Sequence, residues 1–109
     1  MPAAVETVNQ LKARVLADPE WAAAFGAVFK LVIEGEGGGA WTFQLTPPVS
    51  VFEGDGQADC TVTLQASDLI EIVDGELNPQ AAFEQGKIRL SGNVSLALKL
   101  SELLLWRRS

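Results

Sequence analysis

The sequence predicts a mixed domain of five helices and five strands, and three features of it point there. Apolar and polar residues alternate over 29–33, 41–45 and 59–64, the period of a strand with one covered face. Val5, Val8, Leu11 and Val15 recur at helical spacing. Between such stretches stand Asp-Pro and Asn-Pro pairs and isolated glycines, which start helices and end them.

Taken in order, the first helix runs through Val5, Val8, Leu11 and Val15 and stops at Asp18-Pro19. Asp18 then caps a short second helix whose first residue is Pro19, ending near Gly26. Phe29, Leu31 and Ile33 face inward on a first strand, with Lys30, Val32 and Glu34 on a wet face. Trp41, Phe43 and Leu45 do the same on a second, and the glycine-rich EGEGGG joins the two as a hairpin. Pro47-Pro48 ends that strand, and residues 49–52 make a short third strand at a sheet edge. A fourth strand over 59–64 turns Cys60, Val62 and Leu64 inward. Ser67 or Asp68 caps a helix through Leu69, Ile70, Ile72 and Val73, closed by Gly75. Asn78-Pro79 starts another through Ala82 and Phe83, closed by Gly86. Residues 87–90 form the fifth strand, with Ile88 and Leu90 inward.

The last segment, GNVSLALKLSELLLW from Gly92, admits two readings. Val94, Leu96, Leu98 and Leu100 alternate as a sixth strand would. Against that, leucine, alanine, lysine and glutamate favour helix, Leu103-Leu104-Leu105 breaks the alternation, and Asn93 is a good N-cap. The helix is the better reading. At about 100° per residue Ser95, Lys99 and Glu102 share one polar stripe, leaving an apolar arc of roughly 220°. That is about twice what a surface helix on one core needs, so this helix touches something on two sides.

At 109 residues, 48% of them hydrophobic, residues 1–109 are expected to fold as one domain with a substantial core. A lone cysteine, Cys60, excludes an intrachain disulfide framework and fits a reducing compartment. The complete absence of histidine removes the commonest general base and metal ligand, which argues against an enzyme. Neither a signal peptide nor an apolar run of membrane-spanning length is present, and Arg107-Arg108-Ser109 is not a peroxisomal address, so a cytoplasmic protein is expected. Residues 31–86 carry ten acidic side chains and no basic one. Such a surface repels nucleic acid. The basic end, with Trp106, Arg107 and Arg108, reads either as a frayed basic tail or as a foot for transient contact with an anionic membrane face.

Three local patterns have a plain explanation. Gly35-x-Gly37-x-x-Ala40 imitates a dinucleotide fingerprint, but a strand rather than a helix follows, so it reads as the hairpin. Glu53-Gly-Asp55-Gly-Gln-Ala-Asp59 imitates a calcium loop but lacks the closing bidentate glutamate, so it reads as a solvated acidic turn and no metal is expected. Cys60, inward on its strand, reads as a small buried hydrophobe. Glu84 and Gln85, beside Phe83, read either as an exposed helix end or as a polar handle at a pocket mouth.

ADCTVTL from Ala58, followed after a short spacer by DGELNPQAAFEQGKIRLSGNVSLALKL, resembles the sterol carrier protein type 2 domain family. The Asn78-Pro79-Gln80 and Gln85-Gly86-Lys87 groups at this spacing make the likeness specific. It is strong from Ala58 to Leu104 and weaker over FKLVIEGEGGGAWTFQL, from Phe29, which looks like the family's first hairpin. The resemblance implies an α+β fold, a five-stranded, mostly antiparallel sheet with helices covering one face and an apolar tunnel between them. It implies a carrier of sterols, fatty acids, acyl-CoA or phospholipids that performs no chemistry and needs no cofactor. Glu84, where a second aromatic is frequent, and Val94-Ser95, in place of a flexible Met-Gly pair, depart from the family's pattern; the first suggests either a narrower mouth or a polar-ended ligand, the second a stiffer helix start.

On that reading the lipid lies against the inward strand residues Phe29, Leu31, Ile33, Trp41, Val62 and Ile88. Over it come Leu69, Val73 and Phe83 from the central helices, then Leu96, Leu100, Leu103 and Leu104 from the last, with Gln85 at the mouth. A competing expectation keeps the fold and fills the core, making the outer leucines a subunit interface of a structural or dimerising module. A monomer or weak dimer is expected.

Overall fold

The computed structural model describes residues 3–35, 38–54 and 56–104, without the side chains of Ala3, Ala4, Val94, Ala97, Leu98, Leu100 and Leu104. Two helices lead, α1 (Ala3–Ala17) and α2 (Pro19–Ala23), as the apolar spacing and the Asp-Pro pair require. Asp18 caps α2 by accepting the Trp21 amide at 3.1 Å. Its carboxylate also meets Arg14, whose guanidinium lies 4.0 Å over the Trp21 ring. Trp21 in turn meets Phe25 edge-on, so the α1–α2 corner is a stacked unit.

Five strands follow: β1 (Ala27–Glu34), β2 (Gly39–Leu45), β3 (Ser50–Glu53), β4 (Cys60–Gln65) and β5 (Ile88–Gly92). They form one sheet in the order β3-β2-β1-β4-β5. β1–β2, β2–β3 and β4–β5 are antiparallel, and the central β1–β4 pair is parallel. The sheet is thus mostly antiparallel, with β3 at an edge as expected, and the fold is α+β. The glycine-rich segment joins β1 to β2 as a hairpin, Gly38 donating its amide to the Gly35 carbonyl.

Between β4 and β5 lie α3 (Ala66–Val73) and α4 (Pro79–Glu84). Asn78 caps α4, accepting the Gln80 and Ala81 amides. The expected cap of α3 was displaced: Gln65 holds that position without a side-chain hydrogen bond, and Ser67 and Asp68 lie inside the helix. β4 runs straight into α3 with no loop residue between them, so the helix begins where the strand ends. The chain closes with a 3₁₀ turn (Val94–Leu96) and α5 (Ala97–Leu104). Helix rather than strand is therefore the outcome for this segment, and Asn93 caps it through Ser95.

The inward face of the sheet, α1 and α3 enclose the main core, in which Val8, Leu11 and Val15 of α1 join the strand residues. The opposite face is less wet than alternation suggests. Thr42, expected outward and solvated, is 1% exposed. The connection from β3 to β4 must return the chain to the far end of the sheet, because those strands run the same way. It does so across this face. Gly54 donates to the Ala40 carbonyl, Gly56 donates to Thr42 Oγ1, and Asp59 reaches Val28. The acidic turn is thus a strap over β2 and β1, with Asp55 outside the described residues.

Candidate functional site

Across the middle of the inner face the strand register lays out three apolar rows, with buried Ala27 beside Leu45 beyond the first. Val51, Phe43, Phe29 and Cys60 form one; Trp41, Leu31, Val62 and Leu90 form the next; Ile33, Leu64 and Ile88 form the third. The six strand residues expected to line a ligand, Phe29, Leu31, Ile33, Trp41, Val62 and Ile88, all lie on this floor and all are buried. Period-two alternation accounts for that directly. The same signal also applies to Phe43, Cys60 and Leu64, buried residues of the same face that the sequence reading left off the lining.

Trp41 stands at the hairpin end of its row. A β-carbon on Gly39 would approach the edge of its indole to 3.1 Å, so the ring lies over the bare backbone of its own strand. No carboxylate, ammonium or guanidinium stands in the rows until their margin, where Glu53 pairs with Trp41 and is exposed. Cys60, at the β4 end of the first row, is fully buried. Burial pushes its thiol above the ordinary range and the neighbouring Asp59 carboxylate adds to the rise. The thiolate is therefore disfavoured, and Cys60 behaves as an apolar side chain.

From the helical side, Leu69 and Val73 of α3 and Leu103 of α5 are buried in the same cluster, and Leu96 packs partly buried against it. Leu100 and Leu104 fall on α5, but their side chains lie outside the described part of the structure. The same holds for Leu105, Trp106, Arg107 and Arg108 as whole residues.

Phe83 and Gln85 stand apart from this group. Phe83 is 51% exposed, and Gln85 and Glu84 are exposed beside it. α4 has six residues and turns Ala82 and Pro79 into the protein. One position on from Ala82, about 100° around the helix, Phe83 is carried outward. These residues sit at the periphery, on a helix that packs against β5 and α5.

Chemically, the floor and the α3 residues can offer burial and little else. Among the described residues no cluster of histidine, cysteine, aspartate or glutamate could hold a metal ion, and no helix is long and apolar enough to cross a membrane.

Comparison with known proteins agrees with this arrangement. A family model described as the SCP-2 sterol transfer family matches residues 8–105. The crystal structure of sterol carrier protein 2 like 2 from Aedes aegypti superposes with a TM-score of 0.78 at 36% identity, over 92% of this chain and 95% of that one. The solution structure of the palmitated form of that protein gives a TM-score of 0.72 at 34% identity, over 91% of each chain. Sterol carrier protein 2 of Rattus norvegicus is 49% identical over 53 residues, which are 49% of this chain and 10% of that protein. The match thus spans about a tenth of that relative's length.

Proposed function

The chain belongs to the SCP-2 sterol transfer family, and on that premise we propose that residues 1–109 are a single lipid-binding domain and a non-catalytic carrier. The ligand is a fatty acid, acyl-CoA, phospholipid or sterol, held in an apolar tunnel between the sheet and the helices. The observation that carries the proposal is the three-row floor, apolar from β2 to β5 and faced by Leu69, Val73 and Leu103. A palmitated relative of the same fold supports a fatty acid as ligand.

Magnitudes agree with binding by burial alone. About fourteen methylenes at ~0.8 kcal/mol each give roughly 11 kcal/mol before association costs. After those costs, micromolar or somewhat tighter affinity remains. Apolar contact is non-directional, so the carrier accepts several lipid classes. Loading from a membrane face through Trp106, Arg107 and Arg108, in the cytoplasm, belongs to the same proposal.

Two measurements test it. Protein purified from cells should release lipid in extraction mass spectrometry, and a fluorescent fatty acid should bind and be displaced by natural lipids. A Val62→Phe variant should cut fatty-acid uptake at least several-fold while unfolding near the wild-type denaturant midpoint, because the added ring enters ligand space. A filled core instead loses about 1–3 kcal/mol to overpacking and takes up no lipid in either form. That second outcome, with a particle of twice the chain's mass, would replace the carrier with a dimerising module.

A further inference from the structure

We propose that Lys99 is a latch: its ammonium ties α5 to the α2–β1 corner and sets how fast a lipid enters and leaves. This rests on the carrier reading above, and it makes Lys99 a positioning residue rather than a lipid contact.

Lys99 Nζ donates a hydrogen bond to the Phe25 carbonyl at 3.2 Å, across 74 positions of sequence. Its acceptor is firmly held. Phe25 donates its own amide to Ala22, Gly26 donates to Ala23, and the Phe25 ring abuts Trp21 beneath Arg14. Gly26, at a φ of 65°, then turns the chain into β1, whose Ala27 and Phe29 are part of the core.

The root of α5 is fixed to the same corner by other means. Asn93 donates its amide to the Asp59 carbonyl at 2.7 Å, and Asp59 exchanges two hydrogen bonds with Val28. Residues 25–28 therefore hold the terminal helix twice, once through the backbone at its root and once through Lys99 part-way along. The two ties differ in kind. The root cannot yield without opening the end of β4 and β5. The Lys99 tie is a charge-assisted bond from a long side chain exposed to water, and it can break while the sheet stays whole.

Lys99 is exposed, as are Glu102 on α5 and Ser95 in the 3₁₀ turn before it. Lys99 stands one turn before Leu103 on the same side of α5, and its stem carries the ammonium to the Phe25 carbonyl at the corner instead of into the core that Leu103 enters. A tie that touches no lipid contributes equally to the free and loaded states, so it shifts no binding equilibrium. Its loss raises the association and dissociation rates together.

The test uses Lys99→Met, which keeps the stem and removes the donor, beside Lys99→Arg, which keeps a donor. Stopped-flow binding of a fluorescent sixteen-carbon fatty acid should show both rates roughly three- to tenfold faster in Lys99→Met, the loss of one part-buried charged hydrogen bond. The dissociation constant should stay within twofold, and Lys99→Arg should follow the wild type. Rates unchanged in Lys99→Met, or weaker affinity without faster association, would overturn the latch. Amide hydrogen exchange without lipid separates this from failure of the carrier reading. Exchange over α5 should quicken in Lys99→Met by a similar factor while β4 is unchanged, whether or not any lipid binds. Equal α5 exchange in both proteins overturns the latch by itself. Absence of fatty-acid binding to the wild type with quickened α5 exchange keeps the latch and removes the carrier.

Discussion

Gly92 and Asp59 lie so close that a β-carbon on residue 92 would stand 2.6 Å from the Asp59 carbonyl oxygen. The backbone there is also left-handed, at a φ of 87°. This approach lets the next residue, Asn93, place its amide on the same oxygen. The end of β5 and the root of α5 thus meet the start of β4 at one carbonyl.

Gly92→Ala should therefore lose about 2–4 kcal/mol, from the left-handed backbone and from a clash with main chain that has no side chain to move. Urea denaturation measures the loss. Far-UV circular dichroism should show that part of it comes from α5, since its root is displaced first.

Thr42 bridges the strap: its hydroxyl donates to the Gly54 carbonyl and accepts the Gly56 amide, each at 3.0 Å. Thr42→Val keeps the shape and strands both backbone groups, costing about 1–3 kcal/mol. Thr42→Ser should retain most of the stability. Faster amide exchange at Gly56 in the valine variant alone would identify the strap as the part released.

Cys60 carries a pH prediction. Its thiol pKa is raised in the folded protein by burial first and by Asp59 second. The unfolded chain ionises earlier, at roughly pH 8.5. The stability this group contributes is full below that value and is lost as pH rises through the folded value. Denaturation midpoints of the wild type should fall between pH 8 and 10 more steeply than those of Cys60→Ala. A thiol reagent at pH 8 should label Cys60 slowly in the native protein and quickly in urea; rapid native labelling would contradict its burial.

Leu69 and Phe83 should differ in cost. Leu69→Ala removes a fully buried side chain of the α3 layer and should cost about 2–5 kcal/mol. Phe83, half-exposed on α4, should lose about 1 kcal/mol or less on change to serine. If Phe83→Ser nevertheless weakens fatty-acid binding several-fold, the ring turns inward on loading, as the lining expected from sequence requires.

Most elements were legible because short-range interactions set them. Asp18 and Asn78 cap helices two or three residues away, and each is followed by the proline suited to a helix start. Alternation placed Phe29, Leu31, Ile33, Trp41, Val62 and Ile88 on one face without reference to anything distant. The misjudged cap at Ser67 or Asp68 failed for a local reason too: the strand and helix abut, and Gln65 takes the position by default. Phe83 was less legible, because six residues give too little periodicity to say which of two adjacent apolar positions, Ala82 or Phe83, turns inward.

The residues alone specified which segments become strands and helices, which strand side chains share a face, and which family the chain resembles. Folding in three dimensions chose the rest: the parallel pairing of β1 with β4, the strap that buries Thr42, and the tie from Lys99 to Phe25. Each of those joins groups twelve or more positions apart. A donor so distant has many acceptors it could meet, and only the burial and chain closure of the whole fold select one.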